Sequence, residues 1–215
     1  MDEIYIGLAI VVIVVLTIKT INTYHNYKIT LYPEIYSGFI EFLYRKASEK
    51  RLSTSSWLEQ NFGAHRLIYY ADKTSQKRFQ KFFIILIMTS GIYVINSKNL
   101  KGKVYLDKNK KYKFITSFVN KETKEYGNKA IDLPDPFKEI EDFVDGISRA
   151  TQVHDIYKLI QFLDGTEIDI DKSKIPMICS KDFFLTIESI HNQSQIELSN
   201  VEIEKIYSQI NKKLN

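Results

Sequence analysis

Cysteine is nearly absent from this chain: among 215 residues Cys179 stands alone. No internal disulfide can form, and no cysteine-based zinc site can be assembled. The lone thiol closes the apolar run Pro176-Met177-Ile178-Cys179, the setting of a small core residue rather than of a nucleophile. Four histidines, His25, His65, His154 and His191, are scattered without ligand spacing. There is no P-loop, no GxGxxG, no GxSxG and no internal repeat, so the common phosphate-cradling loops, the serine-hydrolase elbow and solenoid architectures are excluded. Charge of one sign is also weak: the net value of +4 is too mild to demonstrate a nucleic-acid partner. Lysine far outnumbers arginine, and isoleucine and asparagine are abundant, a composition that suggests an AT-rich bacterial genome.

What the chain does have is one uncharged stretch, IYIGLAIVVIVVLTI at residues 4–18. As a helix it covers roughly 22 Å, short of a hydrocarbon core of about 30 Å. Lys19 can snorkel, Thr20 and Ile21 add length, and local thinning can absorb the remainder. A signal peptide would need a basic start and a small-residue cleavage site, whereas the chain opens Met1-Asp2-Glu3 and no Ala-x-Ala follows. A core or interfacial helix is the other alternative, although core helices are rarely apolar all round. The expectation is a retained single span through the lipid bilayer. Lys19, Lys28, Arg45, Lys46, Lys50 and Arg51 follow the stretch and only acids precede it, which places the N-terminus outside and the domain in the cytoplasm of the cell membrane's inner side. A single cysteine suits that reducing compartment. The chain thus divides into an anchor (1–21), a polar juxtamembrane connector (22–34) and a domain (35–215) large enough for a substantial core.

Within the domain, Ile35, Phe39, Phe42 and Leu43 fall at helical spacing and predict a helix over 35–48, extendable to Leu58. Residues 67–71 read as a strand and 72–81 as a polar turn. The apolar run 82–88, bounded by Thr89-Ser90-Gly91, reads as a buried central strand, with 92–96 as the next. Residues 102–106 and 111–118 alternate around a hairpin turn at 107–110. Pro134 and Pro136 open a helix whose stripe is Phe137, Ile140, Phe143, Val144 and Ile147. Asp164-Gly165 signals a hairpin between 156–163 and 166–170. A strand at 175–178 leads to Ser180, a candidate cap for a helix over 181–191. Ser199-x-x-Glu202 is a capping box opening a last helix with Ile203, Ile206, Tyr207, Ile210 and Leu214 on its apolar face. The fold class expected is mixed α/β, a central and mostly antiparallel sheet flanked by helices.

The segment Gly91-Ile92-Tyr93-Val94-Ile95-Asn96-Ser97-Lys98-Asn99, followed by Lys101-Gly102, resembles the second of two adjacent strands in the NERD family, the nuclease-related domain with a restriction-endonuclease-like core. The family pattern there is glycine, apolar strand, Glu-x-Lys-Asn and a Lys/Gly turn. Asp135-Pro136-Phe137-Lys138-Glu139 is similar to the family's Asn-Pro-x-x-Gln helix start, and Gly38-Phe39-Ile40-Glu41 loosely to its upstream Gly-x-x-Glu. The closing strand and helices over 175–214 are also similar. The resemblance implies a restriction-endonuclease-like fold and a metal-dependent phosphodiester chemistry, in which carboxylates hold Mg²⁺ or Mn²⁺ and a lysine orients water or stabilises the transition state. This chain departs from the pattern where the chemistry sits: Asn96 stands at the Glu position and Phe83 at the strand-starting Asp position, while Lys98 and Glu41 remain. The resemblance therefore implies catalytic positions Glu41, Asn96 and Lys98 in a degenerate site, or a nuclease that recruits other acids such as Glu59, Asp72 or Asp107.

Lys98, Lys101, Lys103, Lys108, Lys110, Lys111 and Lys113 crowd one stretch with Tyr105 and Tyr112 interleaved. Such a patch can grip a phosphate backbone, with Lys98, Lys101, Lys103 and Lys111 the leading positions. It can equally attract an anionic leaflet or keep strand edges from pairing with other chains. Two functions follow. One is a membrane-anchored nuclease-like domain binding or processing nucleic acid at the inner membrane face. The other is a non-enzymatic interaction module with membrane protein partners in a secretion, transfer or defence assembly.

Overall fold

Helix α1 (Asp2–Lys28) leads in the computed structural model, which describes residues 2–28, 39–40, 42–43, 57–72, 81–98, 100, 102–119, 126–151, 153, 155–170 and 173–214, with the side chains of α1 described from Val11 onward. The polar connector expected from residue 22 is helical as far as Lys28. The reason is aromatic: Tyr24 and Tyr27 pack on Phe39 with ring centroids 5.0 and 5.5 Å apart, and Tyr27 meets Phe42 at 5.3 Å. Tyr27 and Phe42 are buried in a cluster that includes Leu67 and Tyr69 of the domain, so α1 is seated on the sheet rather than hung from a loop. Among the described residues no helix is long and apolar enough to cross a membrane. The apolar side chains from residue 11 to 18 nonetheless stand in the open, Val11 at 60% and Ile13 at 61% exposure. Of the helix expected over 35–48, residues 39–40 and 42–43 are helical; Glu41 lies outside the described residues.

After α2 (Trp57–Phe62) the described residues form nine strands in two sheets. The first holds β1 (His65–Ala71), β2 (Phe82–Met88), β3 (Gly91–Lys98), β7 (Ile156–Phe162) and β9 (Met177–Cys179), in the order β1-β2-β3-β7-β9. The second holds β4 (Lys103–Leu106), β5 (Tyr112–Val119), β6 (Tyr126–Asp132) and β8 (Glu167–Asp169), in the order β6-β5-β4-β8. Helices α3 (Pro136–Thr151), α4 (Phe183–Gln193, after a 3-10 turn at Ser180–Asp182) and α5 (Asn200–Leu214) complete the mixed α/β fold.

The run FFIILIM forms an interior strand, second in the order with β3 at the centre, and it is apolar throughout because both its faces are covered. Ile85 and Ile87 join Ile92 and Val94 under α3 and α5, while Ile84 and Leu86 join Tyr93 and Ile95 under α2 and α4. Each such aliphatic side chain contributes roughly 1.5–3 kcal/mol by leaving water. Gly91, at φ 126°, supports the β2–β3 turn in a conformation that side chains resist.

Three expectations are corrected and one strand is added. The central sheet is not mostly antiparallel: β1, β2 and β3 form an antiparallel meander, but β7 runs parallel to β3 and β9 parallel to β7. Asp164-Gly165 is a turn without a hairpin. Leu159, Ile160, Gln161 and Phe162 are buried and need the interior of the first sheet, so the chain leaves it after Phe162 and β8 pairs with β4 in the second. Ser180 does not cap α4; its hydroxyl is bonded to Gln161 and to the Phe162 carbonyl instead. Strand β6 was not anticipated, because YGNKAID carries little apolar alternation and is held by its ladder with β5. The capping box does form: the Ser199 N–H donates to Glu202 at 2.8 Å and the Glu202 N–H to Ser199 Oγ at 3.3 Å.

Candidate functional site

Asn96 and Lys98 lie two residues apart on β3 and so face the same side of the sheet, toward α3. The start of α3 is built for that meeting. Asp135 Oδ1 accepts the N–H groups of Phe137 and Lys138 at 2.9 and 3.2 Å, and Pro136 occupies the first helical position, where its missing N–H costs nothing. One turn further, Glu139 points inward. Asn96 Nδ2 donates to the Pro136 carbonyl and to Glu139 Oε2, each at 3.3 Å, and Lys98 Nζ donates to the same Oε2. Lys98 is 5% and Glu139 7% exposed. Burial pushes the Lys98 ammonium below the ordinary lysine value, outweighing the upward pull of Glu139. Asn96 Oδ1 and Glu139 Oε1 are buried and find no hydrogen-bond partner among the described residues.

Phe83, at the position where the resemblance asks for an acid, is directly opposite Asn96 in the β2–β3 register. Its ring lies flat on Phe143 of α3, centroids 3.9 Å apart and 5° from parallel. An apolar stack therefore closes the side from which a second carboxylate would have reached the cluster.

The described residues of this cluster do not fit Mg²⁺ or Mn²⁺. Both ions want several oxygen ligands with net negative charge. Here one carboxylate is already neutralised by an ammonium and the other oxygen belongs to a neutral amide. Among the described residues no three of His, Cys, Asp and Glu could hold a metal. Asp107 cannot substitute, since its carboxylate accepts the Asn109 and Lys111 N–H groups in the β4–β5 turn. Glu41 lies outside the described residues, and so does the side chain of Glu59.

The lysine patch also looks different in three dimensions. Lys98 is inside the fold. Lys103 is gripped by Glu167 at 2.7 Å and Asp169 at 2.8 Å, and Lys113 by Asp132 with Asp107 at 3.9 Å. Tyr112 packs against Phe137, 5.7 Å between centroids with the rings tilted by 37°. Lys111, with Lys108 and Lys110, projects from the hairpin tip into solvent. Lys101 lies outside the described residues.

No protein-family model, no curated protein and no solved structure matches the chain.

Sequence reasoning missed Glu139 as the partner of Lys98. The signal was available: Glu139 sits three residues after Pro136 and four before Phe143, inside the apolar stripe of α3, where a charge needs an internal partner. It also missed the buried chain on the opposite face, where Ser97 Oγ donates to Gln161 Oε1 at 2.6 Å and Gln161 Nε2 donates to Ser180 Oγ. Nothing in the local spacing of Ser97, Gln161 and Ser180 announces that network.

Proposed function

We propose that this chain is a membrane-anchored, nuclease-related domain of the NERD type whose metal centre has been replaced by an internal ion pair, and that it serves as a non-enzymatic binding module. The observation that carries this reading is the closed contact of Lys98 with Glu139: the lysine that such a nuclease would spend on the phosphodiester is committed to the protein's own carboxylate, out of water. The restriction-endonuclease-like part of the reading is supported by the order of elements, an antiparallel meander followed by helix α3 and by β7 alongside β3. It is also supported by the convergence of the two resembling motifs, since Asp-Pro-x-x-Glu delivers Glu139 to Asn96 and Lys98.

The anchor is supported by α1. Its exposed apolar side chains at 11–18 continue a run that begins at Ile4, and they have no counterpart in the domain's core. Thr17, Thr20 and Thr23 turn their hydroxyls back to the carbonyls of Ile13, Leu16 and Lys19 at 2.7–2.9 Å, which satisfies those three hydroxyl donors within the helix. Lysines beyond the stretch favour a cytoplasmic domain.

The test is direct. Full-length chain is incubated with duplex DNA, single-stranded DNA and RNA at low salt with Mg²⁺ or Mn²⁺. The expected result is no cleavage above that of a Lys98→Ala control. Metal-dependent cleavage abolished by that substitution would overturn the reading. Among the described residues a nucleic-acid-binding version is favoured by the solvated tip lysines Lys108, Lys110 and Lys111; their triple replacement by Gln would then abolish a salt-sensitive retention of DNA.

A further inference from the structure

The first sheet is left unfinished along β7. Its register with β9 begins only at Ile160, which donates to the Pro176 carbonyl at 2.9 Å. Backbone groups alternate along a strand, so the N–H and C=O of Ile156 and Lys158 point to the same side as those of Ile160. The next bond in that ladder would require an N–H on Pro176, which has none. The pairing stops there, and among the described residues no strand continues it toward Ile156.

The unpaired edge is the floor of a groove of about 570 Å³. Glu141 of α3 walls one face, Ile190 and Gln193 of α4 the other, and Lys174 with Pro176 closes the end. Tyr157, beneath it, is fixed by a hydrogen bond to Ser194 Oγ at 2.9 Å and by its ring contact with Tyr93. Two lysines, Lys158 and Lys174, against one glutamate give the groove a positive excess. Main-chain groups of β7 lie along its bottom, between side chains of α3 and of α4.

We propose that this groove takes an extended peptide from a protein partner, added as a short strand beside residues 156–159 and carrying an acidic side chain that meets Lys158 and Lys174. Main-chain bonds to Ile156 and Lys158 supply affinity without sequence preference, and the two lysines supply the charge preference. The inference names the partner chemistry of the binding module and rests on that reading for its purpose only. The groove borders a different stretch of the register, Ile156 to Lys158 opposite Ile92 to Val94, whereas Asn96 and Lys98 lie opposite Ile160 and Phe162, so nucleic-acid assays decide one claim and peptide selection the other.

The experiment is selection of a phage-displayed library of random decapeptides on full-length chain in detergent micelles. The expected outcome is enrichment of peptides with Asp or Glu, with slowed amide exchange at Lys158 when the most enriched peptide is added. The double variant K158E/K174E is expected to weaken that peptide at least tenfold and to enrich basic peptides instead. E141K removes the opposing charge and is expected to tighten the same peptide, which keeps the test valid if the double variant does not fold. Failure to enrich anything above the unselected library, equal binding to K158E/K174E, or weaker binding to E141K would each overturn the proposal.

Discussion

Lys98 of β3 and Glu139 of α3 form an ion pair with 5% and 7% of their side-chain surfaces exposed, and Asn96 donates to the same carboxylate oxygen. The pair fastens the first turn of α3 to the middle of the first sheet. Each charge is tolerable inside only because of the other.

Breaking the pair from one side should therefore be far worse than removing it. K98M or E139Q alone is expected to cost about 3–5 kcal/mol, because each leaves an uncompensated buried group. The double variant K98M/E139L should cost clearly less than the sum of the two. Urea unfolding of the four proteins, read as a double-mutant cycle, checks this.

The lowered lysine value has a definite sign in alkali. In the folded chain Lys98 loses its proton at a lower pH than in the unfolded chain, so between those two values the unfolded state binds more protons and stability rises with pH. Below that window the buried ammonium is a liability. Tyr93, pushed up to about 12 by burial, acts oppositely, since it holds its proton in the fold after the unfolded chain has lost it. The difference between wild type and K98M isolates the lysine: wild type should gain on the variant as pH climbs toward about 10.4, the ordinary lysine value. A flat difference across that range would refute the assignment.

Gly102, the turn glycine of the motif, has a packing reason. A Cβ there would sit 2.1 Å from the Ile115 carbonyl oxygen and 2.9 Å from the Phe114 ring. Backbone cannot step aside as a side chain can. Gly102→Ala is expected to destabilise by roughly 1–3 kcal/mol through overpacking at the β4–β5 pairing. Gly146→Ala, with nothing within 4 Å, should be harmless and serves as the control in thermal unfolding.

The proposed anchor can be tested without touching the domain. Val14 is 49% exposed in α1. Val14→Arg places a charge in the apolar stretch, at about 2.5–3.5 kcal/mol of insertion free energy. The variant should move from the carbonate-resistant membrane pellet toward the supernatant while the domain remains folded. Equal pellet recovery of the two proteins would argue against a span.

The sequence was most legible where a pattern is local. The apolar run 82–88 announced a doubly buried strand, and Ser199-x-x-Glu202 announced its own hydrogen bonds. It was least legible where long-range pairing decides. Asp164-Gly165 looks like a hairpin because both neighbours are strands, yet β7 and β8 belong to different sheets, a choice made by distant β3 and β4. The convergence of Asn96 and Lys98 on one face followed from their spacing. The identity of the acid facing them did not, because Glu139 comes from a helix forty-one residues beyond Lys98 and its role is set by how α3 docks.

The measurement that bears most directly on the account is a Mn²⁺ titration of the full-length chain followed by electron paramagnetic resonance. A cluster whose carboxylate is already paired with the Lys98 ammonium should leave the free-ion signal unchanged at micromolar metal, in wild type and E139Q alike. One tightly bound Mn²⁺ per chain, lost in E139Q, would contradict the account.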